Sequence, residues 1–299
     1  MLRLNRVLEP TRVVRLTYAS IASLLQRAML IVLTAIGMLC SANANCASDI
    51  EVPKVVFDAR VVVLGEVHGT TQAPAFAAAL LCALAQPTVP VLLALEIPND
   101  QQSAIDAFVG GGPSADFERH NSKARFWSRS FQDGRSSAAM ITLIEAARTI
   151  RASGADIQVL AFDRGEEQLD PALTRNEVMA KNILSGMEKR SGLKVLVLTG
   201  QVHAKKSVGA SFDSQFKSTT YLLSRANVLS FQMRSTGGEA WVCSAVNCGV
   251  RSGWASPSAV LGRSGLVLDG AVQPDFDGYF DVGRITPSPP AYTPTSSKS

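Results

Sequence analysis

The sequence predicts an α/β fold with a mainly parallel central sheet, helices on both faces and antiparallel additions towards the C-terminus. Three observations carry this prediction. From residue 59 onward, apolar runs of strand length alternate with segments of helical periodicity. Four of these runs are apolar throughout, which is typical of parallel strands covered by helices on both faces. After residue 203, shorter strand-like runs are separated by Gly and Ser turns, which indicates antiparallel strands added at the sheet edge.

The individual elements follow from the same patterns. Buried strands are expected at 60–65, 89–98, 157–163 and 194–200. Helices are expected at 73–85, 99–111, 136–154 and 175–190, the last opened by a capping box between Thr174 and Glu177. The segment 110–132 is expected to be an irregular loop. The shorter strands are expected at 227–233, 239–244 and 265–270.

The N-terminus has the pattern of a cleavable signal peptide. Residues 1–27 contain five arginines and one acid, an uncharged apolar run follows at 28–39, and Ala42-Asn43-Ala44 is a small-residue cleavage site. We therefore expect residues 1–44 to be removed and the protein to be periplasmic or secreted. The apolar run is shorter than the roughly 20 residues that span a bilayer, so no stable membrane span is expected after removal. An uncleaved anchor and lipid attachment at Cys46 are the alternatives.

The charge balance argues against a polyanionic macromolecular partner. The formal charge of +4 lies largely in the leader, since the five arginines and one acid of residues 1–44 leave with it and no net charge is left. Nothing then favours binding to nucleic acid or to an anionic membrane. Residues 50–285 are expected to form a single domain, and the Pro-, Ser- and Thr-rich segment 286–299 a disordered tail.

The cysteines divide by their surroundings. Cys243 and Cys248 flank the turn-like segment SAVN after a strand-like run, so a disulfide closing a small hairpin is expected in an exported protein. Cys82 lies on an apolar helix face and is expected to remain a reduced core residue.

The residues with the most reactive side chains stand where the four apolar runs end. In chain order these residues are Glu66 and His68, then Glu96, then Asp163, then Gln201 and His203. Two of the ends share the pattern Gly-x-x-His, at 65–68 and 200–203. In an open α/β sheet the carboxyl ends of parallel strands line the ligand site. The sequence therefore predicts that both imidazoles and their carboxylates meet over one pocket.

Such a set of side chains suits two kinds of chemistry. A carboxylate beside an imidazole orients it and raises its basicity, as a general base requires. Glu66, His68, Glu96 and His203 are also a candidate set of ligands for a divalent metal. Arg175, at a helix start, is a candidate clamp for an anionic substrate group. Asp163 is a further candidate for substrate binding. Asp133 and Arg135 are weaker ones, because Asp133 could be only a turn residue and Arg135 only a solvated one.

The motifs LGEVHGT, ALEIP, QDGRSS, VLAFD, RNEVMAKNI and LTGQVHA occur in this order between residues 55 and 206. In order and spacing they resemble the superfamily that groups erythromycin esterase-like proteins, ChaN-like haem-binding proteins and the Tiki/TraB proteins. The resemblance covers about half of the chain and leaves the C-terminal region unmatched. It implies a central sheet with flanking helices and a site built from Glu66, His68, Glu96 and His203, with Arg175 beside them.

The members of this superfamily differ in function, so the resemblance leaves two hypotheses. The first is an exported hydrolase that opens an ester, lactone or amide of a small molecule or peptide with water activated by His68 and Glu66. Glu96 and His203 would complete the water or metal site. No Gly-x-Ser-x-Gly motif is present, which favours direct attack by water. The alternative is a ChaN-like protein that binds haem or iron without catalysis.

Overall fold

The computed structural model describes residues 50–86, 88–165, 170–256 and 265–292. The expected leader, residues 1–44, lies outside these ranges, and the described residues all belong to one unit, Asn45–Ser299. Among the described residues, no helix combines the length and the apolar character needed to cross a membrane.

Seven of the described strands form the central sheet. These are β1 (Val61–Glu66), β2 (Val91–Pro98), β3 (Ile157–Asp163), β4 (Lys194–Gly200), β7 (Val228–Arg234), β10 (Leu266–Leu268) and β11 (Gly278–Asp281). Their order is β10-β11-β7-β1-β4-β2-β3. Every pair is parallel except β10 with β11. Two antiparallel hairpins stand apart, β5 (Val208–Ala210) with β6 (Asp213–Lys217), and β8 (Glu239–Cys243) with β9 (Cys248–Ser252).

The α-helices lie mostly between the parallel strands. They are α1 (Lys54–Asp58), α2 (Gln72–Leu84), α3 (Gln102–Val109), α4 (Ser114–Asn121), α5 (Arg125–Ser128), α6 (Ala138–Ala152), α7 (Arg175–Glu188) and α8 (Thr219–Leu222). The capping box predicted at the start of α7 is present, with Thr174 and Glu177 exchanging hydrogen bonds. The α/β class and the parallel sheet are therefore confirmed.

Helices cover both faces of the sheet because side chains along a strand point alternately to opposite sides. In β1, Val62 and Leu64 pack into one core, which includes the apolar side chains of α2 and α6. Val61 and Val63 pack into a second core with Met179 of α7 and its neighbours. With both faces buried, the interior of a strand has to be apolar at successive positions, as Val61–Leu64 of β1 are.

Two expectations about individual elements are wrong. The segment 110–132 is not an irregular loop, since it contains α4 and α5. The strand expected at 227–233 is not an antiparallel edge strand. It forms β7, which pairs in parallel with both β1 and β11. Its polar Ser230 is satisfied inside the sheet by the Ala204 carbonyl, 2.6 Å from its hydroxyl, and by Asp277, 2.8 Å from its backbone nitrogen.

The C-terminal segment also differs from its expectation. Residues 286–292 pair with other parts of the fold, where a disordered tail was expected. The backbone nitrogen of Ser288 donates to Gly69 at 2.8 Å, and that of Ala291 donates to Ser136 at 2.9 Å. The carbonyl of Pro289 accepts a hydrogen bond from the backbone nitrogen of Ala138. A proline, which has no backbone N–H, can therefore still pair with the fold through its carbonyl oxygen. Residues 293–299 lie outside the described part of the chain.

The cysteines give one confirmed and one wrong expectation. Cys243 and Cys248 form the expected disulfide, at the tip of the β8–β9 hairpin. Cys82 is not a reduced core residue, because it too is disulfide-bonded.

Candidate functional site

The carboxyl ends of four neighbouring strands bring the expected side chains together. Glu66 ends β1 and Asp163 ends β3. Glu96 lies two residues before the end of β2, and His203 follows the end of β4 by three residues. Strands β1, β4, β2 and β3 are adjacent in this order, so their ends form one continuous rim. We call Glu66, His68, Glu96 and His203 the rim cluster.

His68 lies between two buried carboxylates. Its Nδ1 is 2.9 Å from Glu66 Oε1, and its Nε2 is 3.5 Å from Glu96 Oε2. Both glutamates are almost fully buried, whereas the side chain of His68 is 23% exposed. The imidazole is therefore the part of this trio that meets solvent, and the carboxylates orient it from behind.

Glu96 links the two histidines. Its Oε1 is 3.8 Å from His203 Nε2, while its Oε2 faces His68. Oε2 also accepts hydrogen bonds from the Thr199 hydroxyl at 2.5 Å and from the Gly200 backbone nitrogen at 2.8 Å. These neutral donors fix the carboxylate without neutralising it, so its charge acts on both imidazoles.

His203 is held by groups that sequence reasoning did not single out. Its Nδ1 is 2.7 Å from Asn176 Oδ1, and the amide of Asn176 is oriented by its own donation to the Lys217 carbonyl at 2.7 Å. Nδ1 of His203 is therefore the protonated nitrogen. Its Nε2 is left to accept from Arg175 Nη1, 3.2 Å away.

The two Gly-x-x-His segments interlock. Gly65 and Gly200 lie on paired strands, with Glu66 opposite Gly200. A Cβ on Gly200 would come within 2.9 Å of His68 Nε2, and one on Gly65 within 2.6 Å of the Cβ of Ala204. Each glycine thus leaves the space into which the other segment's His-bearing turn folds.

The arginines and aspartates form a paired network beside the cluster. Arg175 donates from Nε and Nη2 to Asp163 at 2.8 Å and from Nη2 to Glu96 at 2.7 Å. Arg135 donates to Asp163 at 2.5 Å and to Asp133 at 2.7 and 3.0 Å. Arg175 was expected to clamp a substrate, but each of its three nitrogens has an internal partner. In this arrangement it positions Glu96, Asp163 and His203.

The buried charges shift the pKa values of the cluster in different directions. Burial alone would lower the pKa of His68, but the charge of Glu96 and the hydrogen bonds to both glutamates outweigh it and raise the pKa to about 10. Burial opposes ionisation of Glu96, yet His68 holds its pKa well below the ordinary value. The pKa of His203 is lowered, by burial first and also by the charge of Arg175. The resting site therefore contains a protonated His68 and a neutral His203.

Glu66 differs from Glu96 because burial outweighs the interaction with His68, and its pKa is raised. Its Oε1 contacts His68, but its Oε2 is buried without a hydrogen-bond partner among the described residues. An unpaired buried acceptor is costly. This oxygen is therefore a point where a water molecule or a substrate hydroxyl would gain a hydrogen bond.

A metal ion does not fit the cluster as it is arranged. Within the described part of the chain, no group of three or more His, Cys, Asp or Glu side chains is placed to hold a metal. Arg175 and Arg135 approach Glu96 to 2.7 and 3.6 Å, and two guanidinium groups disfavour a further cation.

The β8–β9 hairpin closes one side of the site. The backbone nitrogen of Trp241 donates to the Gly69 carbonyl at 2.9 Å, and its indole nitrogen donates to Gln132 at 3.0 Å. Gly69 has a φ of +78°, and a Cβ there would come within 1.9 Å of the Trp241 carbonyl oxygen. The turn that carries His68 is therefore held by a hairpin that lies far away in the sequence.

No protein-family model matches the chain, and no curated protein has a matching sequence. Solved structures do match. A mutant of the erythromycin esterase EreC in its open conformation superposes with a TM-score of 0.56 at 10% identity, over 78% of this chain and 93% of that chain. The chain has an erythromycin esterase-like fold. A structure described as a succinoglycan biosynthesis protein has the same fold, with a TM-score of 0.52 at 13% identity over 84% of this chain and 97% of its own.

Proposed function

We propose that this protein is a hydrolase that opens an ester, lactone or amide bond of a small-molecule or peptide substrate by direct attack of water. The observation that carries the proposal is His68, a partly exposed imidazole with a buried carboxylate on each side. The shared fold with an erythromycin esterase supports it.

In this mechanism His68 Nε2 takes a proton from water as the water oxygen attacks the carbonyl carbon. Glu66 holds the ring through Nδ1 and, with Glu96, stabilises the imidazolium that forms. When the tetrahedral intermediate collapses, the imidazolium returns the proton to the leaving oxygen or nitrogen. Glu96 and His203 complete the water site, and Arg175 keeps both in place. The same carboxylates keep the resting His68 protonated, so a minor deprotonated fraction starts each turnover at neutral pH.

The test is a hydrolysis screen with matched variants. Purified protein is assayed against chromogenic esters, lactones including erythromycin, and peptides. His68→Ala and His203→Ala are each expected to reduce kcat by about 100-fold or more, with an unchanged far-ultraviolet circular dichroism spectrum. Added imidazole is expected to restore part of the activity of His68→Ala. Arg119→Gln, which removes an exposed arginine paired with Asp116, is the control and should remain fully active.

Two outcomes would contradict the proposal. One is hydrolysis that persists in both histidine variants. The other is the absence of turnover together with a Soret band and a stoichiometric haemin titration, which would favour the haem-binding function instead.

We also propose that the protein acts outside the cytoplasm. The signal-peptide pattern of residues 1–44 and the Cys243–Cys248 disulfide both support this location. N-terminal sequencing of the protein from a periplasmic or culture-medium fraction should begin at or near Asn45. An intact leader on cytosolic protein would contradict it.

A further inference from the structure

A pocket opens at the β3 edge of the sheet, next to the ends of β2 and β3. Its volume is about 910 Å³, and its walls include Pro98, two residues after Glu96, and Arg164, the residue after Asp163. Its remaining wall comes largely from α4, α5 and the residues that follow them, the segment expected to be a loop. The pocket thus continues the line of strand ends that carries the rim cluster.

The described residues in the walls of this pocket are mainly basic. Among the described residues that line it, four carry a positive charge, His120 is a further basic side chain and one is an acid; the four are Lys123, Arg125, Arg129 and Arg164, and the acid is Asp100. This concentration is local, because the chain without its leader carries no net charge. We call this site the basic pocket. A concave surface with one sign of charge concentrates ligands of the opposite sign.

The positive charge of Arg129 is only partly neutralised by a carboxylate of the protein itself. Its Nη2 reaches Asp133 Oδ2 at 3.1 Å, but the same oxygen accepts a shorter bond of 2.7 Å from Arg135. One carboxylate therefore serves two guanidinium groups. The Nε of Arg129 is buried and has no hydrogen-bond partner among the described residues. A buried donor without an acceptor is unfavourable until something supplies one.

We propose that the basic pocket binds a doubly charged oxyanion, a phosphomonoester or dicarboxylate group, that belongs to the substrate of the rim cluster. A planar guanidinium matches the paired oxygens of either group through two parallel hydrogen bonds. A site of this volume holds a ligand of metabolite size. That the anion is part of the substrate rests on the proposed hydrolase function, whereas the anion site itself does not.

The electrostatics of Arg129 support the same assignment. Burial lowers the pKa of Arg129, and the positive charges of Arg135 and Arg125 act in the same direction although Asp133 opposes them. An oxyanion in the pocket would offset all three effects. Arg129 also connects to the rim cluster through Asp133 and Arg135, whose Nη1 is 3.6 Å from Glu96 Oε1. A substrate anchored there would extend along the strand ends towards His68.

The binding test uses the mature full-length protein and isothermal titration with inorganic pyrophosphate and with citrate at about 0.15 M salt. We expect wild-type protein to bind at least one of them, and the stronger of the two identifies the phosphate or carboxylate class. Arg129→Gln and Lys123→Gln should each weaken this binding about tenfold. Lys123 is exposed, so its variant tests the pocket even if Arg129→Gln folds poorly. Arg119→Gln removes an equal charge outside the pocket and should bind like wild type.

The outcomes separate this proposal from the proposed function. Absence of binding by wild-type protein, or equal weakening by Arg119→Gln, would overturn the anion site. If pyrophosphate binds through Arg129 but no ester is hydrolysed, the anion site stands and the hydrolase function fails. If both hold, the bound anion should inhibit hydrolysis of an anionic ester competitively, and Arg129→Gln should raise KM for that ester more than it lowers kcat. Inhibition that is not competitive would show that the anion site is not part of the substrate site.

Discussion

Gly200 and His68 are in contact although 132 positions apart in the numbering, and this contact controls where the imidazole lies. A methyl group on Gly200 would come within 2.9 Å of Nε2, the far end of the His68 side chain. That end can move aside, so the fold would tolerate the substitution. The imidazole would then lose its place between Glu66 and Glu96.

Gly200→Ala is therefore expected to lower kcat by about 100-fold, because a displacement of 1 Å at the reacting group costs about that much. The free energy of unfolding should fall by less than about 1 kcal/mol. Gly65→Ala is the matched comparison, since its Cβ meets the Cβ of Ala204 at 2.6 Å and the Cα of Gln201 at 3.2 Å. Neither of these atoms can turn away, so this variant should lose about 1–3 kcal/mol.

Chemical denaturation and steady-state kinetics of both variants measure these effects. A Gly200→Ala protein with wild-type kcat would show that the position of His68 is unimportant. Equal destabilisation by the two substitutions would show that the close approach at Gly200 serves packing alone.

The residues of the rim cluster could be predicted because each lies at the end of an apolar strand or within three residues after it. Their supporting groups could not. Asn176 follows Arg175 at the start of a helix and Thr199 ends an apolar run, and in both places a polar residue has ordinary structural uses. Only the three-dimensional arrangement shows that Asn176 holds His203 and that Thr199 donates to Glu96.

At the scale of secondary structure, prediction succeeded where strands are uniformly apolar and failed where polar residues are satisfied inside the fold. The run that forms β7 was expected at the sheet edge because it is short and is separated from the next runs by Gly and Ser turns. Tertiary partners of Ser230 instead allow an interior parallel position. The prediction of disorder was wrong for residues 286–292 for a related reason. Composition alone does not show that the backbone of this segment has hydrogen-bond partners on Gly69 and Ser136.

The β8–β9 hairpin provides a prediction at this scale. The double variant Cys243→Ser/Cys248→Ser opens a very small loop, so the free energy of unfolding should fall by only about 2 kcal/mol. The attachment of the hairpin to the His68 turn runs through Trp241 and Gly69 rather than through the cysteines, and catalysis should change little. Denaturant titration and kcat measurements test this.

Trp241→Ala serves as the comparison for the disulfide variant. It removes the indole that donates to the Gln132 carbonyl and should reduce kcat more than the loss of the disulfide does. If loss of the disulfide instead abolished activity while the protein stayed folded, the hairpin would have to be held over the site mainly by its covalent link.

For the whole molecule, the buried charges of the rim cluster should make stability fall and activity rise as the pH increases. The folded pKa of His68 is about 10, raised from an ordinary value of 6.5. Protonation of His68 therefore stabilises the fold fully below about pH 6.5, and this contribution is lost as the pH rises towards 10. The raised pKa of Glu66 acts in the same direction, because the fold disfavours its ionised form.

Activity should change the other way, since His68 accepts the proton from water only when it is deprotonated. We expect kcat/KM to rise with pH from neutrality towards about pH 10, while the free energy of unfolding falls over the same interval. Parallel pH series of kinetics and chemical denaturation measure both, and His68→Gln should remove most of the stability change. A rate that reaches its plateau below pH 7 would instead assign the base to His203, whose pKa is lowered. That outcome would preserve the shared site and reverse the roles of its two histidines.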